Sequence, residues 1–116
     1  MRESLRDPLR LEHILDAIDR LLAGDKNNHF NEVDEHDIEY FGIVKLLEII
    51  GEAAYKLTEE FKIAHPQTPW RYIIAMRHIL VHGYYQINRN DVLKTIREDI
   101  PILREQVVKY LYDMNS

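Results

Sequence analysis

The feature that most constrains this chain is a stripe of apolar residues near its start, spaced by three and four positions. The stripe consists of Leu11, Ile14, Leu15, Ile18, Leu21 and Leu22. Residues three and four apart share one face of an α-helix, so the spacing predicts an amphipathic helix whose apolar side is covered by another helix. Asp7 and Pro8 predict the start of this helix as its N-cap and first residue, and Gly24 predicts its end.

Two further segments continue the helical pattern through the middle of the chain. The run from Ile38 to about Ala64 contains no proline and predicts one long central helix. Gly51 inside it weakens the helix, which predicts either a close approach by a neighbouring helix or a bend. Thr68 and Pro69 then predict the cap and first residue of a third helix.

The third helix is expected to end at Gly83, and the remaining chain again has helical spacing. Asn88 or Asn90 is the predicted cap of a fourth helix, and Asp99 with Pro101 predicts a kink or a restart before a last helix. No segment shows the alternation typical of strands. The sequence therefore predicts an all-α, up-and-down bundle of four to five helices, organised as a single domain over residues 1–116.

The longest predicted connection, residues 25–37, is polar and rich in turn formers. Within it, Phe30 and Val33 are expected to be anchored on the core. The connection also contains His29, Asp34, His36 and Asp37, but their spacing matches no recognised metal site. We expect neither a metal nor a cofactor.

Composition sets the class of protein. The chain has 116 residues and no cysteine, which removes disulfides and thiol nucleophiles and is typical of a reducing compartment. Residues 1–10 carry three arginines with no apolar run behind them, and no apolar run approaches bilayer-spanning length. The expected protein is cytoplasmic and does not bind a membrane.

Charge is unevenly distributed along the chain. The net charge is −5, which by itself argues against a nucleic-acid partner, but residues 1–61 carry −8 and residues 62–109 carry +4. A face built from the second half could attract a polyanion. Alternatively, the two halves neutralise each other across a bundle or a dimer.

The strongest candidate for a site is the stretch around the predicted end of the third helix. Arg77, His78, His82, Tyr84 and Tyr85 gather there. Imidazole moves protons near neutral pH and guanidinium holds a phosphate and its developing charge, which suits RNA transesterification through the ribose 2′-hydroxyl without a metal. A structural alternative is that cationic side chains simply stabilise the free carbonyls of a helix end. The two histidines, four residues apart, could also suggest a metal pair, but no glutamate lies between them.

These residues resemble a known family. Arg77, four intervening residues, His82, Gly83 and Tyr84 reproduce the R-x4-H-x-Y signature of HepT-like toxins in the HEPN superfamily. The segment from Leu46 to Ala54 is similar to the second helix of that family. The approach to the signature, His65-Pro66 with Pro69-Trp70, and the closing segments, Asn88 to Val92 and Asp99-Ile100-Pro101, are similar as well.

The resemblance implies an all-helical homodimer whose two signatures meet near the subunit interface and form a metal-independent endoribonuclease cleft. It implies Arg77 and His82 as the catalytic pair and RNA as the substrate. His78 stands where the family commonly has another polar residue, so it is a candidate for assisting or for positioning RNA. Glu52 matches a family glutamate and is a candidate for the cleft wall or for orienting the arginine.

The resemblance also implies a control mechanism. Tyr84 stands at the position that, in HepT and MntA toxin–antitoxin systems, is adenylylated by a minimal nucleotidyltransferase acting as antitoxin. Adding adenylyl groups there would place bulk and negative charge beside the cleft. The signature assigns no role to Tyr85. The net acidity and the tyrosine-rich helix exit support an alternative function, a non-catalytic helical subunit that binds and regulates a nucleotidyltransferase.

Overall fold

A computed structural model describes residues 4–83 and 87–115 of the chain. These residues form six α-helices, and the predicted all-α bundle is confirmed. The helices are α1 (Asp7–Gly24), α2 (Ile38–Lys56), α3 (Glu59–Ala64), α4 (Trp70–His82), α5 (Arg89–Lys94) and α6 (Ile100–Met114). Short 3₁₀ turns at Ser4–Arg6 and Lys26–Glu32 and a π-helical turn at Thr95–Asp99 complete the order.

Helix α2 lies at the centre of the bundle. It packs most extensively against α1 on one side and α4 on the other, and α1 also packs against α6. The predicted apolar stripe of α1 faces this core, where Leu11, Ile14, Ile18 and Leu21 have no solvent exposure. No helix in the described part of the chain is both long and apolar enough to cross a bilayer.

The predicted start of α1 at Asp7 and Pro8 is confirmed, but the predicted capping role of Asp7 and the predicted length of the central helix are wrong. The Asp7 carboxylate does not cap α1 but accepts hydrogen bonds from the Thr58 backbone N–H (3.0 Å) and hydroxyl (2.7 Å). Thr58 in turn caps α3 by accepting from the Phe61 N–H. Because Leu57 and Thr58 are extended at this point, the predicted helix is divided into α2 and α3.

Thr68 is likewise not the cap that the sequence predicts for α4. Its side chain is buried and its hydroxyl donates to Gln106 Oε1 at 2.8 Å and lies 2.5 Å from the Tyr110 hydroxyl. Helix α4 begins at Trp70, without a side-chain cap. Thr68 thus connects the segment before α4 to α6, and its side chain does not cap α4.

The predicted cap at Asn88 is confirmed, because its side chain accepts from the Asn90 N–H at 2.7 Å. The kink or restart expected at Asp99 and Pro101 is a π-helical turn, Thr95–Asp99, between α5 and α6. Proline lacks an N–H and its ring clashes with the carbonyl four residues earlier. The wider π-helical turn lies just where that helical hydrogen bond cannot form.

The connection between α1 and α2 is held by arginines from the far end of the chain. Phe30 and Val33 are buried as predicted. Arg97 donates two hydrogen bonds to the Asp25 carboxylate (2.8 and 3.0 Å). The Arg89 guanidinium donates to three backbone carbonyls of the connection, those of Phe30, Asn31 and Val33.

Candidate functional site

The position of Arg77 is set by a close crossing of α4 over α2. Gly51 is buried at this crossing, and a Cβ atom added to it would overlap Arg77 Cβ and lie 3.2 Å from Arg77 Cα. Only a residue without a side chain lets the two backbones approach so closely. The close approach predicted at Gly51 is therefore confirmed, and it fixes the base of the Arg77 side chain against α2.

Glu52, the next residue on α2, contacts the far end of the same side chain. Its Oε2 lies 2.8 Å from Arg77 Nη2, and its Oε1 lies 3.5 Å from Lys56 Nζ. The Arg77 and Glu52 side chains are 33% and 38% exposed, so the pair remains within reach of a ligand from solvent. The predicted candidates Arg77 and Glu52 are thus in direct contact.

The Arg77–Glu52 pair lines a polar groove of about 390 Å³. One ridge of α2 forms its floor, α1 forms one wall and α4 the other. The lining residues are Lys45, Glu48, Ile49, Glu52, Ala53 and Lys56 from α2, Arg10 and His13 from α1, and Arg77 and Val81 from α4. Four arginine or lysine side chains face two glutamates, so the groove carries an excess of positive charge. We call it the α1–α2–α4 groove.

Most of these cations were not among the site residues predicted from the sequence. Arg10, Lys45 and Lys56 belong to the half of the chain whose net charge is −8, and only Arg77 comes from the half that is basic. A net charge counted over a stretch of sequence combines the charged side chains on all faces of each helix. One feature of the sequence could have predicted this surface. The spacing of Lys45, Glu52 and Lys56 places their side chains on one ridge of a helix.

His78 and His82 lie together at the end of α4, and both are exposed. Their rings are 4.8 Å apart between centroids, as expected for residues four apart on a helix. His82 is the last residue of α4, and Gly83 closes the helix by donating its N–H to the Ile79 carbonyl.

Arg77 and His82 do not share a face of α4. They are separated by about 140° around an ideal helix, and the residues that line the α1–α2–α4 groove include Arg77 but not His82. Tyr84, the predicted modification site, and Tyr85 lie outside the described residues. Within the described ranges, no group of three or more His, Asp or Glu side chains is arranged to hold a metal ion.

A larger groove of about 560 Å³ runs along a different side of α4. Apolar side chains dominate its lining, among them Tyr72, Met76 and Ile102, and Asp99 is the ionisable acid among the lining residues. It offers no guanidinium or imidazole. The groups suited to phosphate binding and proton transfer are therefore found in the α1–α2–α4 groove and at the adjacent helix end, although that groove is the smaller of the two.

The fold and the site define an all-α protein that presents an oriented arginine in a cation-rich groove and a histidine pair at the end of the same helix. Guanidinium and imidazole in such a setting suit a phosphate-containing substrate.

The chain belongs to the HepT-like ribonuclease family, because residues 11–110 match the family model described as "Ribonuclease HepT-like". It is 37% identical over 101 residues to "Putative RNase TTE0752" of Caldanaerobacter subterraneus, covering 87% of this chain and 90% of the relative. It is 34% identical over 109 residues to "Probable ribonuclease HepT" of Thermococcus cleftensis, covering 94% and 97%. No solved structure gives a significant match.

The family resemblance inferred from the signature is thus confirmed, and the chain is a ribonuclease by family.

Proposed function

We propose that this ribonuclease is the toxin of a toxin–antitoxin module and cleaves RNA as a metal-independent endonuclease, with Arg77 and His82 as its catalytic pair. The observation that carries the proposal is the Arg77 side chain, fixed at its base by Gly51 and at its tip by Glu52, and directed into a groove rich in cations. A guanidinium held in this way can bind a phosphate without first being ordered, which lowers the entropic cost of binding.

The proposed reaction is attack of a ribose 2′-hydroxyl on the adjacent phosphodiester. The new bond joins the 2′-oxygen to phosphorus, and the bond from phosphorus to the 5′-oxygen breaks. The products are a 2′,3′-cyclic phosphate and a 5′-hydroxyl, and no water or metal is consumed in this step. His82 acts as the general base that removes the 2′-proton or as the general acid that protonates the 5′-oxygen. Arg77 binds the non-bridging oxygens as negative charge develops on them.

His78 and Glu52 have supporting roles in this proposal. Because the His78 ring lies 4.8 Å from that of His82, it is a candidate for positioning RNA or for assisting proton transfer. Glu52 orients the Arg77 guanidinium through the 2.8 Å contact.

The proposal is tested with protein purified without an antitoxin and incubated with RNA in the presence of EDTA. The parent is expected to cleave, whereas Arg77→Ala and His82→Ala lose about 100- to 10,000-fold in rate, the range for removing a charge-stabilising or acid–base group. Arg71→Ala is the matched control, because Arg71 is an exposed arginine of the same helix that does not line the groove. Parent-like cleavage by both the Arg77 and the His82 variants would refute the assignment, and so would cleavage that EDTA abolishes.

We further propose that the active form is a homodimer in which the two signatures meet near the subunit interface. The support is that Arg77 and His82 face different sides of α4 within one chain, while Ile79 and Val81 between them leave apolar surface exposed (49% and 38%). A second copy would cover these side chains and could bring His82 of one subunit to Arg77 of the other.

Mixing the two inactive variants tests this arrangement. If each site takes its arginine and its histidine from different subunits, a heterodimer of Arg77→Ala and His82→Ala regains one intact site. Random reassociation then restores roughly one quarter of the parent activity, because half of the dimers are mixed and each has one of two sites. If both residues act within one subunit, the mixture stays inactive. A monomeric mass in solution at active concentrations would contradict the dimer itself.

Regulation is proposed to occur at Tyr84, through adenylylation by a partner MntA-like nucleotidyltransferase. Tyr84 follows His82 by two residues, so an adenylyl group on it would bring phosphate charge to the end of α4 and compete with RNA for nearby cations. Intact-mass measurement after incubation with the partner and ATP should show gains in multiples of one adenylyl unit. These gains should persist in Tyr85→Phe and disappear in Tyr84→Phe; the reverse pattern would move the site to Tyr85.

A further inference from the structure

Within the part of the chain that the structure describes, Arg10 differs from the other cations of the α1–α2–α4 groove in having no carboxylate partner. Arg77 and Lys56 both face Glu52, and Lys45 faces Glu48. Among the described residues no ion pair or hydrogen bond reaches the Nε of Arg10, although that atom is buried. Of the groove cations, Arg10 is therefore the one for which the described residues supply no ion pair.

A buried N–H without an acceptor is unfavourable, because it has lost its bonds to water and gained nothing in return. Arginine cannot relieve this by losing its proton. An anionic ligand with oxygen acceptors would satisfy the Arg10 guanidinium and would also meet the positive charge of the surrounding groove.

His13 extends this side of the groove by one helical turn. It stands three residues after Arg10, so both side chains project from the same face of α1, and both line the groove. Arg10 and His13 thus form the wall that faces Arg77 and Val81 across the ridge of α2. A ligand held by Arg77 would extend toward Arg10 if it followed the groove.

We propose that Arg10, with His13 beside it, is a second phosphate-binding subsite for the RNA backbone, one that holds a phosphate neighbouring the scissile one bound by Arg77. The inference rests on the proposed ribonuclease function, because it assigns further substrate contacts within the same groove. In this proposal Arg10 is a binding and positioning residue, which contacts a neighbouring phosphate and not the bonds that change. The family signature, Arg77 to Tyr84, does not include it.

The probe is a fluorescein-labelled single-stranded RNA with 2′-O-methyl groups throughout, which lacks the nucleophile and so cannot be cut. Fluorescence anisotropy with the full chain should show Arg10→Gln weakening binding roughly tenfold, as for loss of a charge-assisted contact to phosphate. The slope of log Kd against log salt should fall by about 0.7, the value for one phosphate contact on a single strand. Arg20→Gln is the matched control, since Arg20 lies on the exposed side of α1 and pairs with Asp16; its Kd should stay within twofold of the parent.

His13→Glu provides a second variant that does not depend on Arg10→Gln folding, because His13 is exposed. It places a carboxylate on the groove wall and should weaken binding by about tenfold or more. The same change at His36, on the exposed connection before α2, is the control for added negative charge and should have less than a twofold effect. If both Arg10→Gln and His13→Glu are folded by circular dichroism and bind within twofold of their controls, the subsite is refuted. If only His13→Glu is folded, its Kd alone decides.

Cleavage assays separate this inference from the proposed function. With cleavable RNA, Arg10→Gln should raise KM about tenfold and leave kcat within about threefold, because the residue does not touch the reacting atoms. If Arg77→Ala and His82→Ala abolish cleavage but Arg10→Gln has parent-like KM and Kd, the subsite alone is wrong. If the parent binds the methylated RNA through Arg10 but cleaves no RNA, the proposed catalytic function is wrong and the subsite stands.

Discussion

Two arginine–carboxylate pairs in this protein share their chemistry and differ in their surroundings. Arg97 makes two hydrogen bonds to Asp25, whose side chain is only 9% exposed and also accepts the Phe30 N–H. Arg77 contacts Glu52 through one end of its guanidinium, and both side chains remain about one-third exposed. The two arginines are about equally exposed (32% and 33%), so the difference lies in their partners: Asp25 is used within the fold, whereas Glu52 is 38% exposed and lines a groove. The second pair keeps guanidinium donors facing a groove, which is what a substrate-binding arginine needs.

The difference shows how arginine can be built into the fold in one place and left available to a ligand in another. Arg89 and Arg97 attach the α1–α2 connection to the C-terminal half through backbone carbonyls and a carboxylate. Arg77 is positioned by a helix crossing and a single ion pair. Substitutions at the two places should therefore affect different measurements.

The largest expected effect is on catalysis at the exposed pair. Arg77→Ala should lower the rate of RNA cleavage by about 100-fold or more and change the free energy of unfolding by less than about 1 kcal/mol, because a partly exposed ion pair contributes little to stability. Arg77→Lys should remain strongly impaired, since lysine keeps the charge but not the planar fork. If Arg77→Ala unfolded the protein enough to explain the loss of activity, the expectation that Arg77 affects catalysis and not stability would be wrong.

The next effect is on stability at the saturated pair. Asp25→Ala should destabilise the fold by about 2–3 kcal/mol, because it leaves the Arg97 guanidinium and the Phe30 N–H without their acceptor. Urea denaturation measures this difference. The exposed Asp16→Ala on α1 is the control, with an expected change within about 0.5 kcal/mol. The cleavage rate per folded molecule should not change.

The same pair predicts a pH dependence with a definite sign. The Arg97 hydrogen bonds lower the pKa of Asp25 below its ordinary value. A lowered folded-state pKa stabilises the protein above the unfolded-state pKa, and the contribution is lost as the pH falls through the folded-state pKa. The stability difference between the parent and Asp25→Ala should therefore be constant between about pH 7 and 5 and shrink below about pH 4. A difference that shrinks on raising the pH from 5 to 7 would contradict this assignment.

A smaller effect is expected where α4 crosses α2. Gly51→Ala adds a Cβ that overlaps Arg77, so it should cost about 1–3 kcal/mol through helix displacement and should also reduce cleavage by moving the arginine. Gly42→Ala is a matched control on the same helix, with nothing within 4 Å of the added Cβ. Because alanine favours helix over glycine, Gly42→Ala should raise stability by up to about 1 kcal/mol. Thermal unfolding of the two variants gives the comparison directly.

The smallest effect should come from Glu52→Gln. Glutamine keeps the length of the side chain and can still accept one hydrogen bond from Arg77, but it no longer holds the guanidinium by charge. We expect roughly a tenfold loss in kcat/KM and a change in stability within about 0.5 kcal/mol. Glu48→Gln, on the same ridge and paired with Lys45, is the control for charge in the groove. Equal effects of the two substitutions would argue against an orienting role for Glu52.

Much of the helical framework could be predicted because its signals are local. The three- and four-residue spacing of α1, the Asn88 cap and the break around Pro101 depend on residues within a turn or two of each other. The predicted close approach at Gly51 also has a local cause, the absence of a side chain on an otherwise strong helix.

The failures share a different cause. Asp7 and Thr68 have the local appearance of helix caps, but each finds a partner far along the chain, Thr58 in one case and Gln106 with Tyr110 in the other. A cap and a long-range hydrogen bond compete for the same side-chain oxygen atoms. The division of the central helix at Thr58 did have a local signal, because Thr58 caps α3 and is followed by Glu59 and Glu60, and the prediction of one long helix overlooked it.

The sequence by itself determined the helical class, the family signature from Arg77 to Tyr84 and the candidate pair for catalysis, because these depend on residue type and short spacing. The tertiary structure decided which cations share the groove with Arg77. It also decided which arginines, Arg89 and Arg97, form hydrogen bonds that attach one part of the fold to another. Arg10 and Arg77 lie on different helices and meet the same groove only because α2 packs between α1 and α4. A net charge counted along the sequence includes side chains that point in every direction. A ligand is attracted only by the charged side chains on the face that it binds.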